Sequence, residues 1–414
     1  MEVGIQMADT GKKDRSQLNE NYAHTEKTIS PFLQTKKQQA KYDIAIIGGG
    51  LAGLSLSILV AKEGYSVVLF EKEKYPFHKV CGEYISLEAW DFLETLGIPL
   101  SEMDLPIIHK LIVSSPNGKY LEHMLPLGGF GISRYKLDAM MADLAKANGV
   151  IIHENTKVNN VYFENEMFNI QSSIINTRSK VTVATFGKRS NLDVTWKRKF
   201  AEEKPNKLNN YIGVKYHVDV DLPADQIALH NFNNGYCGIS MVEENKYCLC
   251  YLTTAKNLND SNNSIKEMEQ KIICKNLFLK NIFCNAKFMD QHPVVISQIS
   301  FDKKSQVQDH ILMVGDAAGM ITPLSGNGMS MALHGSKIAF GQIDFFLQKK
   351  ITRQQMEVAY REKWKETFNK RLRIGRMIQR FFGSPALSNL LINSLKPFPG
   401  MIDSLISGTH GQPF

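Results

Sequence analysis

Apolar and polar positions alternate along this chain in blocks of distinct period. Asp43–Ile47 is a short β-branched run that reads as a buried parallel strand, and Ser66–Phe70 is a second. An amphipathic stretch to about Glu63 between them predicts a helix. Far downstream, Ile311–Val314 repeats the buried-strand pattern, and a small-residue helix is predicted over Met329–Phe340. "NKLNNYIGVKYHVDVDLPADQIALHNF" and the run Gly235–Thr254 alternate with period two, which predicts an antiparallel sheet. From about Phe346 the pattern is helical and rich in Met and Phe, broken near Lys396 by Pro397, Pro399 and Gly400.

Two tight strand-to-helix passages carry the chemistry. In the first, Gly48, Gly50 and Gly53 complete G-x-G-x-x-G, with Leu51 and Ala52 opening the helix. Gly48 permits the turn, Gly50 lets backbone approach a pyrophosphate, and Gly53 lets the helix close on the strand. The helix N-terminus favours the phosphate charge. Glu71 ends the second strand, about twenty residues on, where it can accept from a ribose diol and would repel a 2′-phosphate. FAD or NAD therefore fits better than NADP. The second passage runs Gly315-Asp316-Ala317-Ala318-Gly319, then Pro323, Gly326-Asn327-Gly328 and Met329. A second grip so distant suits one extended dinucleotide held at both ends. Asp316 is expected at the ribityl and pyrophosphate region, and the Gly326–Gly328 amides at the flavin pyrimidine oxygens.

These motifs, in this order over about Tyr42–Phe346, resemble FAD-dependent oxidoreductases of the group A monooxygenase type. Within that superfamily the chain is most similar to the geranylgeranyl reductase-like flavoproteins. "GDAAGMITPLSGNGMSMA" resembles the GD motif with its following Pro and Gly-x-Gly; Gly319 stands where aromatic hydroxylases usually carry His. "GFGISRYKLDAMMADLAKANGVII" resembles the helix that bears the FAD-contacting arginine, here Arg134. "YPFHKVCGEYIS" resembles the Pro…Lys-x-Cys-Gly segment, carried by Pro76, Lys79, Cys81 and Gly82. The resemblance implies an α/β fold with a discontinuous Rossmann-type FAD domain, an inserted antiparallel substrate sheet and a helical C-terminus. The expected FAD domain takes 42–110, 129–200 and 301–345. The substrate domain takes 111–128 and 201–300, and the helical region 346–414. The implied cofactor contacts are those named above, with Lys72 and Lys79.

Two departures stand out. Ala184-Thr185-Phe186-Gly187 replaces the Asp-Gly motif by which hydroxylases meet nicotinamide. The Trp-x-Trp-x-x-Pro element of tryptophan halogenases and the Trp pattern of lipid reductases are both missing; "NNGYCGISMVEENKYCLCYLTT" stands there, with Tyr236 and Cys237 expected near the flavin. Cys81 has three readings: a small packed residue beside the flavin, a gate or proton donor to a substrate carbon, or a core thiol. Lys79 would favour its thiolate. Glu83 is read as a loop anchor or a base, and His78 as a cap or surface residue. NADH or NADPH is the expected electron donor. Reduction of an activated C=C bond of a hydrophobic molecule is the first expectation. A C4a-hydroperoxide hydroxylase or halogenase-like enzyme is the second, and a non-enzymatic FAD-binding redox protein the third.

Composition adds limits. The chain has 414 residues, 43% hydrophobic and 22% charged, with no apolar run long enough to span a bilayer. Residues 1–40 read as a solvated, disordered tail without the apolar core of a secretory signal. Six cysteines without an export signal fit reduced thiols in the cytoplasm, and no Cys/His spacing matches a zinc site. Cys248 and Cys250, two apart in a strand, are read as a packed thiol pair sharing one face. From Phe346 onward twelve Lys and Arg face four Asp and Glu, a surplus equal to the +8 of the whole chain. "NKRLRIGRMIQRFFG" groups Arg373, Arg376 and Arg380 on one helical face, with Ile374, Met377, Ile378 and Phe381 on another. A solvated helix face or peripheral contact with an anionic membrane or acidic partner fits this. No aromatic-interleaved basic motif for nucleic acid is present.

Overall fold

The structure, a computed structural model, describes residues 39–203, 209–322, 326–379 and 382–414. The N-terminal tail up to residue 38, Pro323, Arg380 and Phe381 lie outside the described residues.

Ala40–Ile47 and Val67–Phe70 pair in parallel, Ile44 beside Val67 and Ile47 beside Phe70. Asn176–Ala184 pairs on the other side of Ala40–Ile47, then Ile311–Met313, again in parallel. Ile151–His153 closes the far edge beside Val67–Phe70. The β-branched residues that made these runs legible are buried on both faces, as parallel strands between helices require. The helix Leu51–Lys62 covers one face, and Gly328–Leu347 packs on that helix. Small residues permit the close approach: the Ser55 hydroxyl donates to Ser336 Oγ at 2.7 Å. The second helix outlasts the expected Phe340 because Gln342 and Ile343 are also buried.

Among the described residues the second sheet has nine strands. Asn209–Asp219, Tyr247–Thr254, Gly235–Met241 and Gln226–Phe232 run antiparallel in that spatial order. Ile107–Ser114, Tyr120–Gly131 and Tyr84–Ser86 extend it. It therefore takes in chain segments on both sides of 111–128 that the sequence pattern had grouped with the nucleotide-binding strands. Gln226–Phe232 pairs with Ile107–Ser114 in parallel, so the sheet is mixed at this seam, where two distant segments of chain meet.

The pleat gives this sheet two different faces. Outward, Val214, Tyr216, Cys237, Leu249 and Tyr251 form a core under the short helices Ile265–Lys271 and Leu277–Asn285. Inward, Val113, Leu121, Leu229, Tyr236 and Leu252 meet the C-terminal helices Pro385–Leu395 and Pro399–Thr409. Between those two helices the Lys396–Phe398 turn marks the break that the prolines imposed. The preceding helix, Arg353–Gln379, packs on the last one, whose end reaches the Gly-rich loop: Asn327 Nδ2 donates to the Thr409 carbonyl at 2.8 Å. Among the described residues no helix is long and apolar enough to cross a membrane.

Candidate active site

The first Gly-rich turn is as tight as its spacing implies. Gly48 has φ +107°, and a Cβ there would lie 2.7 Å from Phe186 Cα. A Cβ on Gly53 would stand 2.1 Å from the Gly48 carbonyl oxygen and 2.7 Å from Thr185 Oγ1. Glu71 is buried; its Oε2 accepts from the Gly49 amide at 2.7 Å and its Oε1 from the Glu73 amide at 3.0 Å. The carboxylate thus shapes the loop as well as ending the strand. Lys72, placed among the expected contacts, is instead exposed and 3.6 Å from Glu73.

Gly50 is the N-cap of the first helix and supplies no side-chain cap, so the opening amides of that helix remain for an anion. Two cations stand over it: a Cβ on Gly50 would be 3.7 Å from Arg134 Nη2 and 3.9 Å from Lys79 Nζ. Asp138 holds both, accepting from Arg134 Nε and Nη2 and from Lys79 Nζ, each at 2.8 Å. Burial works against the Asp138 charge, but Arg134 and Lys79 outweigh it and keep the carboxyl below its ordinary range. Arg134 begins its helix, Arg134–Ala147, because Ser133 caps it by accepting from the Lys136 amide at 3.1 Å. Ser133 is itself anchored through its amide, which donates at 2.7 Å to Oε2 of Glu243, in the turn that joins two strands of the second sheet.

The second passage faces this one. Ile311–Met313 is followed by a single 3₁₀ turn, Gly315–Ala317. Burial raises the Asp316 carboxyl, with Lys304, Arg134 and Lys188 acting in the opposite direction. Lys304 sits beneath the loop and donates to the carbonyls of Asp316 at 2.8 Å and Lys188 at 2.6 Å. Burial pushes Lys304 down to about 8, and Lys188 likewise to about 8. Gly326 and Gly328 lead into the helix that carries Met329, and a Cβ on Gly326 would be 2.9 Å from Tyr84 Cδ1. Thr322 Oγ1, Asn327 Oδ1 and Tyr84 Oη are buried there without hydrogen-bond partners among the described residues. Open helix amides and two cations at one end, with partnerless hydroxyls and an amide oxygen at the other, form a set of donors and acceptors that fits FAD.

Between the two grips lies a polar island that the chain pattern did not announce. Glu83 is fully buried at φ +56°, a conformation that non-glycine residues seldom adopt. Its Oε1 accepts from Lys215 Nζ at 2.5 Å and from the Arg134 amide at 2.9 Å. Its Oε2 is 2.7 Å from His217 Nε2. Burial opposes the Glu83 charge, but His217 and Lys215 hold its carboxyl below the ordinary value. Lys215 and His217 alternate with apolar residues along Asn209–Asp219, so both point inward beside Gly213. A lysine and a histidine two apart, alternating with Val214, Tyr216 and Val218, were the available signal. His78 is exposed, as the surface reading expected, yet its ring also reaches this island. Its ring stacks on Tyr135 at 4.6 Å and meets His217 edge-on at 5.4 Å.

Cys81 borders this island. Cys248 Sγ donates to its carbonyl at 3.2 Å, which places Cys248 and its same-face neighbour Cys250 at the site rather than in a separate core. Burial pushes the Cys81 thiol up, and Arg134 only partly offsets it. The expected thiolate is therefore not formed: Lys79 is committed to Asp138, and the thiol keeps its proton. Tyr236 faces inward next to Phe382, at 6.0 Å between ring centroids. Cys237, one residue on, points to the outer core and away from the site, because adjacent strand residues alternate. Glu83, His217 and Cys248 bring donor atoms within 4.8 Å of one another, but the Lys215 ammonium already supplies the positive charge a cation would bring.

An apolar cavity of about 120 Å³ adjoins Tyr84 and Gly326. Leu111, Leu229, Ile392, Leu395 and Ile402 line it, between the inner sheet face and the C-terminal helices.

Comparison with known proteins agrees with this geometry. The model of the FAD binding domain family matches residues 41–339. "Conditioned medium factor receptor 1" of Dictyostelium discoideum is 27% identical over 353 residues, covering 79% of this chain and 68% of that protein. A digeranylgeranylglycerophospholipid reductase of Methanococcus vannielii is 23% identical over 364 residues, covering 79% and 83%. The flavin-dependent brominase Bmp2 superposes with a TM-score of 0.73 at 20% identity, covering 89% and 93%. A geranylgeranyl bacteriochlorophyll reductase-like protein of Thermoplasma acidophilum gives 0.70 at 18%, covering 88% and 92%. At these identities the structural likeness establishes the fold.

Proposed function

The chain belongs to the FAD binding domain family and is an FAD-dependent oxidoreductase, and from that premise we propose that it reduces C=C bonds of an isoprenoid-type hydrophobic molecule, with NADH or NADPH as electron donor. The observation that carries this reading is the apolar cavity against Tyr84 and Gly326. Among the described residues its lining has no charged side chain, so it suits a hydrocarbon chain and disfavours a small polar ring.

Bound FAD supplies the hydride chemistry, and the chain supplies everything else. Gly50, Arg134 and Lys79 would bind and orient the pyrophosphate, Asp316 would reach the ribityl and pyrophosphate region, and the Gly326–Gly328 loop would hold the flavin end. Alkene reduction needs a proton as well as a hydride, and Cys81 Sγ holds one because burial keeps the thiol protonated. Glu83, paired with Lys215 and His217, anchors the backbone that presents Cys81 and remains ionised, so it is not the acid. The C-terminal helices exclude water from the chain-binding side.

The test is anaerobic turnover of the full FAD-loaded chain with NADH or NADPH and a digeranylgeranylglycerol phospholipid, followed by mass spectrometry. Gain of two hydrogens per double bond is expected. Absence of a saturated product, with a hydroxylated or halogenated one formed when oxygen is admitted, would overturn the reading in favour of oxygen-dependent chemistry.

A further inference from the structure

The two last helices are apolar on both sides. Ile392, Leu395 and Ile402 turn inward to the cavity, while Leu387, Leu390, Phe398 and Met401 are exposed, Leu390 and Phe398 to 57% each. Large apolar side chains clustered on an exposed face usually have something against them. From Pro385 to Thr409 the ionisable residues that carry charge at neutral pH are Lys396 and Asp403. Asp403 Oδ1 is 2.7 Å from His123 Nε2, whereas Lys396, exposed in the turn beside Phe398, makes no ion pair among the described residues. The adjoining helix adds Lys370 and Arg373, both exposed and likewise without ion pairs among the described residues.

We propose that the Lys396–Met401 turn, with Leu387 and Leu390, docks into the surface of an anionic lipid bilayer. The chemistry of the patch selects this occupant. Large apolar side chains flanking an unpaired lysine match the boundary between acyl chains and phosphate headgroups, where a lysine reaches the phosphates and Phe and Leu enter the hydrocarbon. The surplus of basic residues beyond Phe346 supplies the long-range attraction. A second copy docked face to face would instead set Lys396 and its basic neighbours against their own like charges. This differs from the basic-face contact expected from the sequence, in which Arg373, Arg376 and Arg380 would lead. Here the apolar turn inserts and the basic residues steer. The inference does not depend on the reaction assigned above, although a docked turn would bring the cavity wall next to the lipid phase.

The experiment is vesicle flotation of the full chain without substrate, on phosphatidylcholine alone and on about three parts phosphatidylcholine to one part phosphatidylglycerol. Binding to the mixed vesicles, at least about tenfold above the neutral ones, is expected. The variant Leu390→Glu/Phe398→Glu should lose binding by at least about tenfold while keeping its thermal midpoint and its FAD content. Failure of the parent chain to float with either vesicle would overturn the proposal. So would retained binding by the double variant, or a parent chain that dimerises through this patch, with the double variant monomeric.

Discussion

Deleting Lys215 tests the polar island most directly. The Lys215 and Glu83 side chains are 1% and 0% exposed, with Nζ and Oε1 2.5 Å apart. At an effective dielectric of 20 their attraction is about 6–7 kcal/mol. Removing two ions from water costs several kcal/mol each, so the pair contributes little net stability. The asymmetry is what can be measured. Lys215→Met removes the attraction but leaves a buried carboxylate with His217 and one backbone amide, at an expected cost of about 3–5 kcal/mol. Glu83→Gln strands the ammonium at a similar cost. The double variant has no stranded charge and should recover at least about 2 kcal/mol relative to the sum of the singles. Urea unfolding of the four FAD-saturated proteins gives the cycle. Single costs below about 1 kcal/mol, or additivity within about 0.5 kcal/mol, would refute the reading that these charges are buried and mutually dependent.

Further expectations follow from the same geometry. Gly53→Ala places a Cβ 2.1 Å from the Gly48 carbonyl, so the helix cannot close on the strand, and the purified protein should lose its flavin absorbance. Arg134→Ala removes one of the two cations over the helix amides and should weaken FAD binding by at least about tenfold in fluorescence titration, more than Lys72→Ala at the exposed rim. Glu83 and Asp138 have folded pKa values below their ordinary ones, so the unfolded chain binds more protons as acid is added. Their stabilisation is present above the ordinary carboxylate pKa and is lost as pH falls through the lower folded values. The thermal midpoint should therefore drop below about pH 4, and less so in Glu83→Gln. Leu229→Trp narrows the cavity and should raise KM for a long isoprenoid more than for a short one.

The nucleotide-binding half was legible because its signals are local. The β-branched strands at 43–47 and 311–314, the spacing of Gly48, Gly50 and Gly53, and an acid at Glu71 each act within one turn of chain. Any fold that buries those strands must put the glycines where the helix closes on the sheet. The prolines after Leu395 likewise ended a helix whatever packed against it. The polar island was not legible, because Cys81, Glu83, Arg134, Lys215 and Cys248 are scattered over 168 positions and meet only when the second sheet lies across the first. No spacing rule links them, and burial decided their protonation: it kept the Cys81 thiol neutral and left Lys79 to Asp138. Pairing decided the rest. Strand register turned Tyr236 inward and Cys237 outward, and the C-terminal helices became the wall of a cavity whose opposite wall comes from Leu111 and Leu229. Short-range sterics wrote the cofactor cradle into the sequence, whereas long-range packing and desolvation, which no single segment encodes, made the reacting side of the site.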